Sequence, residues 1–302
     1  MLPATPALAQ GRPPFLLTTT AILADAVRAV AGPGPRVESL MGEGVDPHLF
    51  RPTRADTAKL LAADLVVLNG YRLEGRMEEV LARLAAAGRR VLAMAEQLPR
   101  ESLRAHPEYP DAADPHVWMD PLLWAQAAAT LPAALEPLLP RSALAANLAA
   151  YQARLQRLHD YAARALGGIP GPQRVLVTAH DAFGYFARRY DLAIDSIQGL
   201  STEAEASLIR IEAIVAMLVA RRVPAVFAET SVPDRAVRSL IEGAAARGHR
   251  VRLGGNLFSD SMGPAGTYTG TLEGMLDHNV TTIARALGGS APAAGMNGRL
   301  RP

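Results

Sequence analysis

The chain contains no cysteine. That excludes disulfides, thiolate metal ligands, a cysteine nucleophile and an N-terminal lipid-modified cysteine within these residues. Lysine is almost missing too: Lys59 is the lone lysine among 31 basic residues, a bias of composition rather than a sign of function. Neither charge sign dominates. The 31 basic and 29 acidic residues leave a formal net charge of +2, which gives no electrostatic argument for nucleic acid or an anionic membrane. No stretch stays apolar for the ~20 residues a membrane span requires. Two catalytic signatures are absent as well, the H-E-x-x-H zinc helix and the G-x-S-x-G nucleophile elbow.

What is present points to a two-domain α/β protein. Hydrophobic residues make up 49% of the 302, enough for sizeable cores, and domains usually run to ~100–200 residues each. The opening MLPATPALAQG carries Ala7-Leu8-Ala9, an A-x-A pattern of the kind cut by signal peptidase. Residues 1–10 are therefore read as the remnant of a signal peptide, with a soluble mature chain in the periplasm.

Short apolar runs alternate with helical patterns. FLLTT (15–19), RVESLM (36–41), DLVVLN (64–69) and RVLAM (90–94) read as strands, as do RVLVTA (174–179), AIDSI (193–197), PAVFAE (224–229) and HRVRLG (249–254). Helical stretches separate them, which implies parallel sheets with helices on their faces. Between the two sets, Leu144, Leu148, Tyr151, Leu155 and Leu158 fall on one stripe of a single long helix, stopped by Gly167-Gly168-Ile169-Pro170. The expected organisation is an N-terminal lobe over 11–141, a linker helix over 142–168, a C-terminal lobe over 169–288 and a flexible tail over 289–302. Capping signals place the polar motifs. Thr53 with Asp56 predicts a capping box, Asp120-Pro121 an N-cap with proline at N1, and Ser231, Pro233 and Asp234 a further helix start.

Two of the seven histidines follow the same Asp-Pro step, His48 in GVDPHLF and His116 in ADPHVWMDP. Proline fixes its own φ and restricts its neighbour, so each imidazole enters from a rigid segment, which favours metal ligation. His180 closes the strand RVLVTA, where α/β lobes build their clefts. Asp260 lies in the loop GGNLFSDSMG, where Ser-Asp-Ser also suits a turn or an N-cap. Together these four would give an N3O donor set suited to a divalent first-row metal. A lone loop histidine is usually a surface residue, and His106, His159, His249 and His278 are left in that class.

The sequence resembles the zinc- and manganese-binding solute-binding proteins of bacterial ABC transporters over Leu16 to Leu287. The motifs that carry the resemblance are VDPHLFRPTRADTAKLLAADLVVLNGYRLEG, DPHVWMDP, VTAHDAFGYFARRYDL, GLSTEAEAS, FAETSVP and LFSDSMGPAGTYTGTLEGMLDHNV. The resemblance implies two α/β lobes of parallel sheet and helices, one long connecting helix and a metal site in the interlobe cleft. It assigns the ligands to His48, His116, His180 and Asp260, the cargo to Zn2+ or Mn2+, and the partner to an ABC-transporter membrane permease, with the binding protein a monomer. Glu203, Glu205 and Glu229 lie in its motifs as candidate acceptors for the far ring nitrogens. Two features depart from its zinc-specific and manganese-specific members. The stretch AMAEQLPRESLRAHPEYPDAAD carries one histidine where many zinc-specific members have a His- and acid-rich loop, and the third ligand is histidine where many manganese-specific members have glutamate. The rival reading is a zinc-dependent hydrolase with an open coordination position.

Overall fold

A computed structural model describes residues 12–301. The proposed signal-peptide remnant lies outside them. The first half builds one parallel sheet from β1 (Phe15–Thr20), β2 (Arg36–Met41), β3 (Leu65–Leu68) and β4 (Val91–Ala93), in the order β2-β1-β3-β4. β1 is buried along its whole length, as an apolar run covered on both faces should be. Helices α1 (Ala21–Ala31), α2 (Arg54–Ala62) and α3 (Glu78–Ala86) alternate with these strands. Each begins or ends on chemistry visible in the sequence. The Thr53 hydroxyl accepts from Asp56 N–H, and the Asp56 carboxylate returns the bond to Thr53 N–H, closing the capping box of α2. Past α3, Gly88 takes a φ of +75°, and Arg89 N–H reaches back to the Leu84 carbonyl. This is a Schellman stop that only an unbranched backbone adopts without strain.

The connection to the second half runs through α4 (Pro121–Ala128), α5 (Leu131–Leu135) and α6 (Arg141–Gly167). The Asp120 carboxylate accepts from Leu122 and Leu123 N–H, with proline behind it at N1. α6 is 27 residues long, roughly 40 Å at the α-helical rise. Its stripe of Leu144, Tyr151, Leu155 and Leu158 is buried. It packs on α1, α4 and α5 on one side and on α7 (Gly184–Tyr190) and α10 (Leu272–Ala286) on the other.

The second half carries two parallel pairs, β5 (Val175–Thr178) with β6 (Ala193–Ser196), and β7 (Ala225–Glu229) with β8 (Arg252–Leu257), and β5 and β7 lie in contact. α8 (Leu208–Arg221) and α9 (Arg235–Ala246) cover them. β8 starts three residues later than the apolar run HRVRLG predicts. Its central Gly254-Gly255 hides the strand from any propensity reading, yet a Cβ on Gly254 would lie 2.5 Å from the Phe227 ring. Glycine is therefore what lets β8 approach β7, at the point where the register shifts between Val226 and Phe227. Asp234 also departs from expectation. It precedes α9 but makes no capping bond, and its carboxylate pairs with Arg238 instead. The stretch expected to be a flexible tail is anchored. Met296 N–H donates to Asp277 at 2.9 Å, Asn297 donates to Glu273 at 2.8 Å, and Ala291 and Leu300 are buried. Composition alone gave no sign of the buried carboxylate that holds it.

Candidate metal site

The repeated Asp-Pro-His step has a local cause. In each copy the aspartate turns back on the residue two positions ahead, so His48 N–H donates to Asp46 at 2.9 Å and His116 N–H to Asp114 at 3.0 Å. This is an Asx turn, with proline holding the intervening residue. It aims both imidazoles inward from the loops before α2 and α4. His180 follows β5 by two residues, and Asp260 follows β8 by three. The adjacency of β5 and β7 sets His180 beside Glu229, the last residue of β7.

The structure brings all four expected side chains together. One ligating atom from each of His48, His116, His180 and Asp260 lies within 4.8 Å of the other three, and all four residues are buried. His180 Nε2 is 3.1 Å from Asp260 Oδ2, His116 Nε2 is 3.4 Å from Oδ1, and His48 Nε2 is 3.6 Å from Oδ2. Donors bonded to one zinc ion at about 2.0–2.1 Å in a tetrahedron stand roughly 3.3 Å apart, close to these three His–Asp distances. Nine buried side-chain N and O atoms among the described residues have no hydrogen-bond partner, and five of them are the three Nε2 atoms and both Asp260 oxygens. Each such atom costs about 1–3 kcal/mol when left unsatisfied. A cation at their centre takes up the three Nε2 atoms and one or both of the Asp260 oxygens. Because both carboxylate oxygens face inward, Asp260 can bind through one oxygen to zinc or through two to an ion that prefers more oxygen.

Groups behind the ligands fix which nitrogen points inward. His116 Nδ1 lies 2.8 Å from Asp114 Oδ1, and the other Asp114 oxygen accepts from Arg104 at 2.7 Å. Arg104 in turn occupies the space where Gly184, at the start of α7, has no side chain. His180 Nδ1 contacts Glu229 Oε2, and His180 N–H donates to Glu229 Oε1 at 2.8 Å. Both arrangements hold the proton on Nδ1 and leave Nε2 free for a metal. Of the three acidic candidates from the motifs, Glu229 fills this role. Glu203 instead pairs with Arg76 across the cleft at 2.9 Å, and Glu205 is exposed. Asp114 escaped the sequence reading, although it stands in the very step that singled out His116.

The electrostatics differ among the three imidazoles. Burial pushes His48 down to about 3, so it stays neutral. Burial also opposes charge on His116, but Asp114 and Asp260 outweigh it and lift this group to about 9. His180 is raised for the same reason, by Glu229 and Asp260. Burial alone would raise Asp260, but His180 and His116 hold it well below the usual carboxylate range. Without a cation the site thus stores protons; with one, the cation takes their place. His106, His159, His249 and His278 lie outside the cluster.

Known proteins share this architecture. The family model described as "Zinc-uptake complex component A periplasmic" matches residues 16–286. The zinc-binding protein TroA of Treponema pallidum is 42% identical over 283 residues, 93% of this chain and 91% of its own. The manganese-binding lipoprotein MntA of Bacillus subtilis is 41% identical over 271 residues, 89% of this chain and 88% of its own. Among solved structures, periplasmic TroA superposes with a TM-score of 0.87 over 92% of this chain and 99% of that one. Fe(III)-bound YtgA of Chlamydia trachomatis superposes with a TM-score of 0.82 at 26% identity, over 92% of this chain and 99% of that one. The fold is the two-lobed α/β arrangement of these proteins, and the chain belongs to the zinc-uptake complex component A family of periplasmic proteins.

Proposed function

We propose that this protein is the substrate-binding component of an ABC importer, capturing a divalent transition metal, zinc or manganese, and handing it to a membrane permease. One observation carries the reading: His48, His116, His180 and Asp260 converge, buried, from four separate segments, with their three Nε2 atoms and both carboxylate oxygens free of other hydrogen-bond partners. In this reading the lobes are 11–141 and 169–288, the connecting helix supplies 142–168, and the cation is cargo. Similarity to relatives named as periplasmic or as ABC-transporter substrate-binding lipoproteins supports a periplasmic location. No helix among the described residues is long and apolar enough to cross a membrane. We take the working unit to be a monomer.

A carrier fits the donor set better than a hydrolase does. A catalytic zinc keeps a position open for water beside three protein ligands, whereas four protein donors converge here. Glu229 and Asp114, the carboxylates behind the ligands, are committed to His180 and His116. The relatives include zinc-, manganese- and iron-binding proteins, and zinc outbinds manganese at most such sites, so affinity alone does not name the physiological metal. Metal analysis of protein purified from its native compartment, with an anomalous-scattering map, tests the assignment. One equivalent of metal between the four side chains is expected. Equilibrium dialysis should show binding weakened at least about a hundredfold by His116→Ala or Asp260→Ala. Undiminished binding by either variant would sink the assignment.

A further inference from the structure

We propose that Asn279 and Asp277 of α10 are positioning residues for the metal site, gripping the two ends of the loop that carries Asp260. The proposal rests on the reading of the four-residue cluster as a metal site. The histidines have support of their own. His48 and His116 sit on Asx turns, and His116 and His180 also lean on Asp114 and Glu229. Asp260 lacks any such partner, since neither of its carboxylate oxygens makes a hydrogen bond. Its side chain is therefore placed through its backbone alone. A ligand on a loop is held less precisely than one on a helix or strand unless the loop is braced.

α10 supplies the brace. β8 ends at Leu257, and Phe258 begins the loop. Phe258 N–H donates to Asn279 Oδ1 at 2.9 Å, and Asn279 Nδ2 donates to the Phe258 carbonyl at 2.7 Å. One buried side-chain amide thus pairs both backbone groups of a residue, as a neighbouring strand would, two positions before Asp260. His278 adds a bond from Nε2 to the Asn256 carbonyl at 2.9 Å. Asp277 holds the far end. The Tyr268 hydroxyl donates to Asp277 Oδ2 at 2.9 Å, and Gly263 N–H donates to the Thr269 carbonyl at 2.9 Å, drawing the returning arm of the loop against the outgoing one. A Cβ on Gly274 would lie 1.9 Å from the Tyr268 carbonyl oxygen, so the chain at Tyr268 rests directly on the helix. Residues beyond Ala286 lie outside the family match, yet they complete the grip. Asn297 donates to the Tyr268 hydroxyl at 3.0 Å, and the Arg299 guanidinium stands 4.5 Å from the centre of its ring. Both ends of the loop hang on three successive residues of one helix, none of them in the ligand cluster.

The test is a double-mutant cycle on zinc affinity, measured by competition with a chelator. Asn279→Ala should weaken zinc binding about tenfold in the otherwise native chain. In the Asp260→Ala background the three imidazoles still hold zinc, though less tightly, and the same substitution should change affinity by less than about twofold. That difference separates positioning from upkeep of the fold, because general damage weakens both backgrounds alike. Tyr268→Phe keeps the ring and removes the hydroxyl. It should give a smaller loss with the same dependence on Asp260, and it carries the test if Asn279→Ala does not fold. Equal losses in the two backgrounds, or undiminished affinity in both variants, overturn the positioning role. Wild-type protein that binds no zinc overturns the reading of the site itself.

Discussion

At Gly184 an ideal Cβ would lie 0.8 Å from Arg104 Nη1, so any side chain there must expel the guanidinium. Arg104 is the ion-pair partner of Asp114, and Asp114 holds His116. Gly184→Ala is therefore expected to lower metal affinity about 10–100-fold, the range for losing an outer-shell partner, although the residue touches no ligand. Titration calorimetry checks this, with Gly171→Ala as a control at a site open to space. Protons and metal compete for the same nitrogens. His116 is lifted to about 9, so metal entering near pH 7 must displace its proton, and His180, also raised, adds to the release. Apparent affinity should thus climb with pH up to about 9, beyond the ~6.5 of an ordinary histidine. Calorimetry in buffers of different ionisation heat should register more than one proton released per metal near pH 7. The stability of the metal-free protein carries the opposite sign. A raised imidazole stabilises the folded state fully below about pH 6.5, and that contribution fades as pH rises toward about 9. Thermal melts of metal-free protein across that window should decline, and a rise would contradict the assignment of these protons.

At the scale of elements, most of the fold was legible because propensity, pattern and capping agreed. Seven strands lie within a residue or two of their apolar runs, and α2 and α4 start at the caps that announced them. Two of the exceptions share a cause: long-range contact overrode local signal. β8 is built around Gly254-Gly255, whose worth appears only against the Phe227 ring. Asp277 holds residues near Met296 in a segment whose composition suggests no order. The site shows the same division. His48, His116, His180 and Asp260 came through as ligand types in rigid or strand-end positions, while the Asp114 and Arg104 support was invisible without the position of Gly184. Gly254→Ala tests the strand case. It should destabilise the protein by about 1–3 kcal/mol in urea unfolding, as overpacking does, and leave metal affinity nearly unchanged because β8 delivers Asp260 only at its far end.

At the scale of the whole molecule, α6 governs how the halves can move. It runs from Arg141 through Leu166 without internal proline or glycine, and kinks concentrate at such residues. The interlobe bonds from Trp118 to the Ser259 carbonyl at 2.9 Å and from Arg189 to Asp120 at 2.8 Å add further restraint. Metal release should therefore proceed by small shifts and loop rearrangement. Small-angle scattering of metal-free and loaded protein should give nearly superimposable curves, and a change of several ångströms in radius of gyration would refute this. The same helix has a thermodynamic consequence. One continuous hydrophobic core runs from Leu16 and Ile22 through Leu144, Leu155 and Leu158 to Leu276 and Ile283. Neither half can melt without stripping the other of its wall. Scanning calorimetry of the metal-free protein should record a single endotherm whose van't Hoff and calorimetric enthalpies coincide, as for one folding unit despite the two-lobed outline.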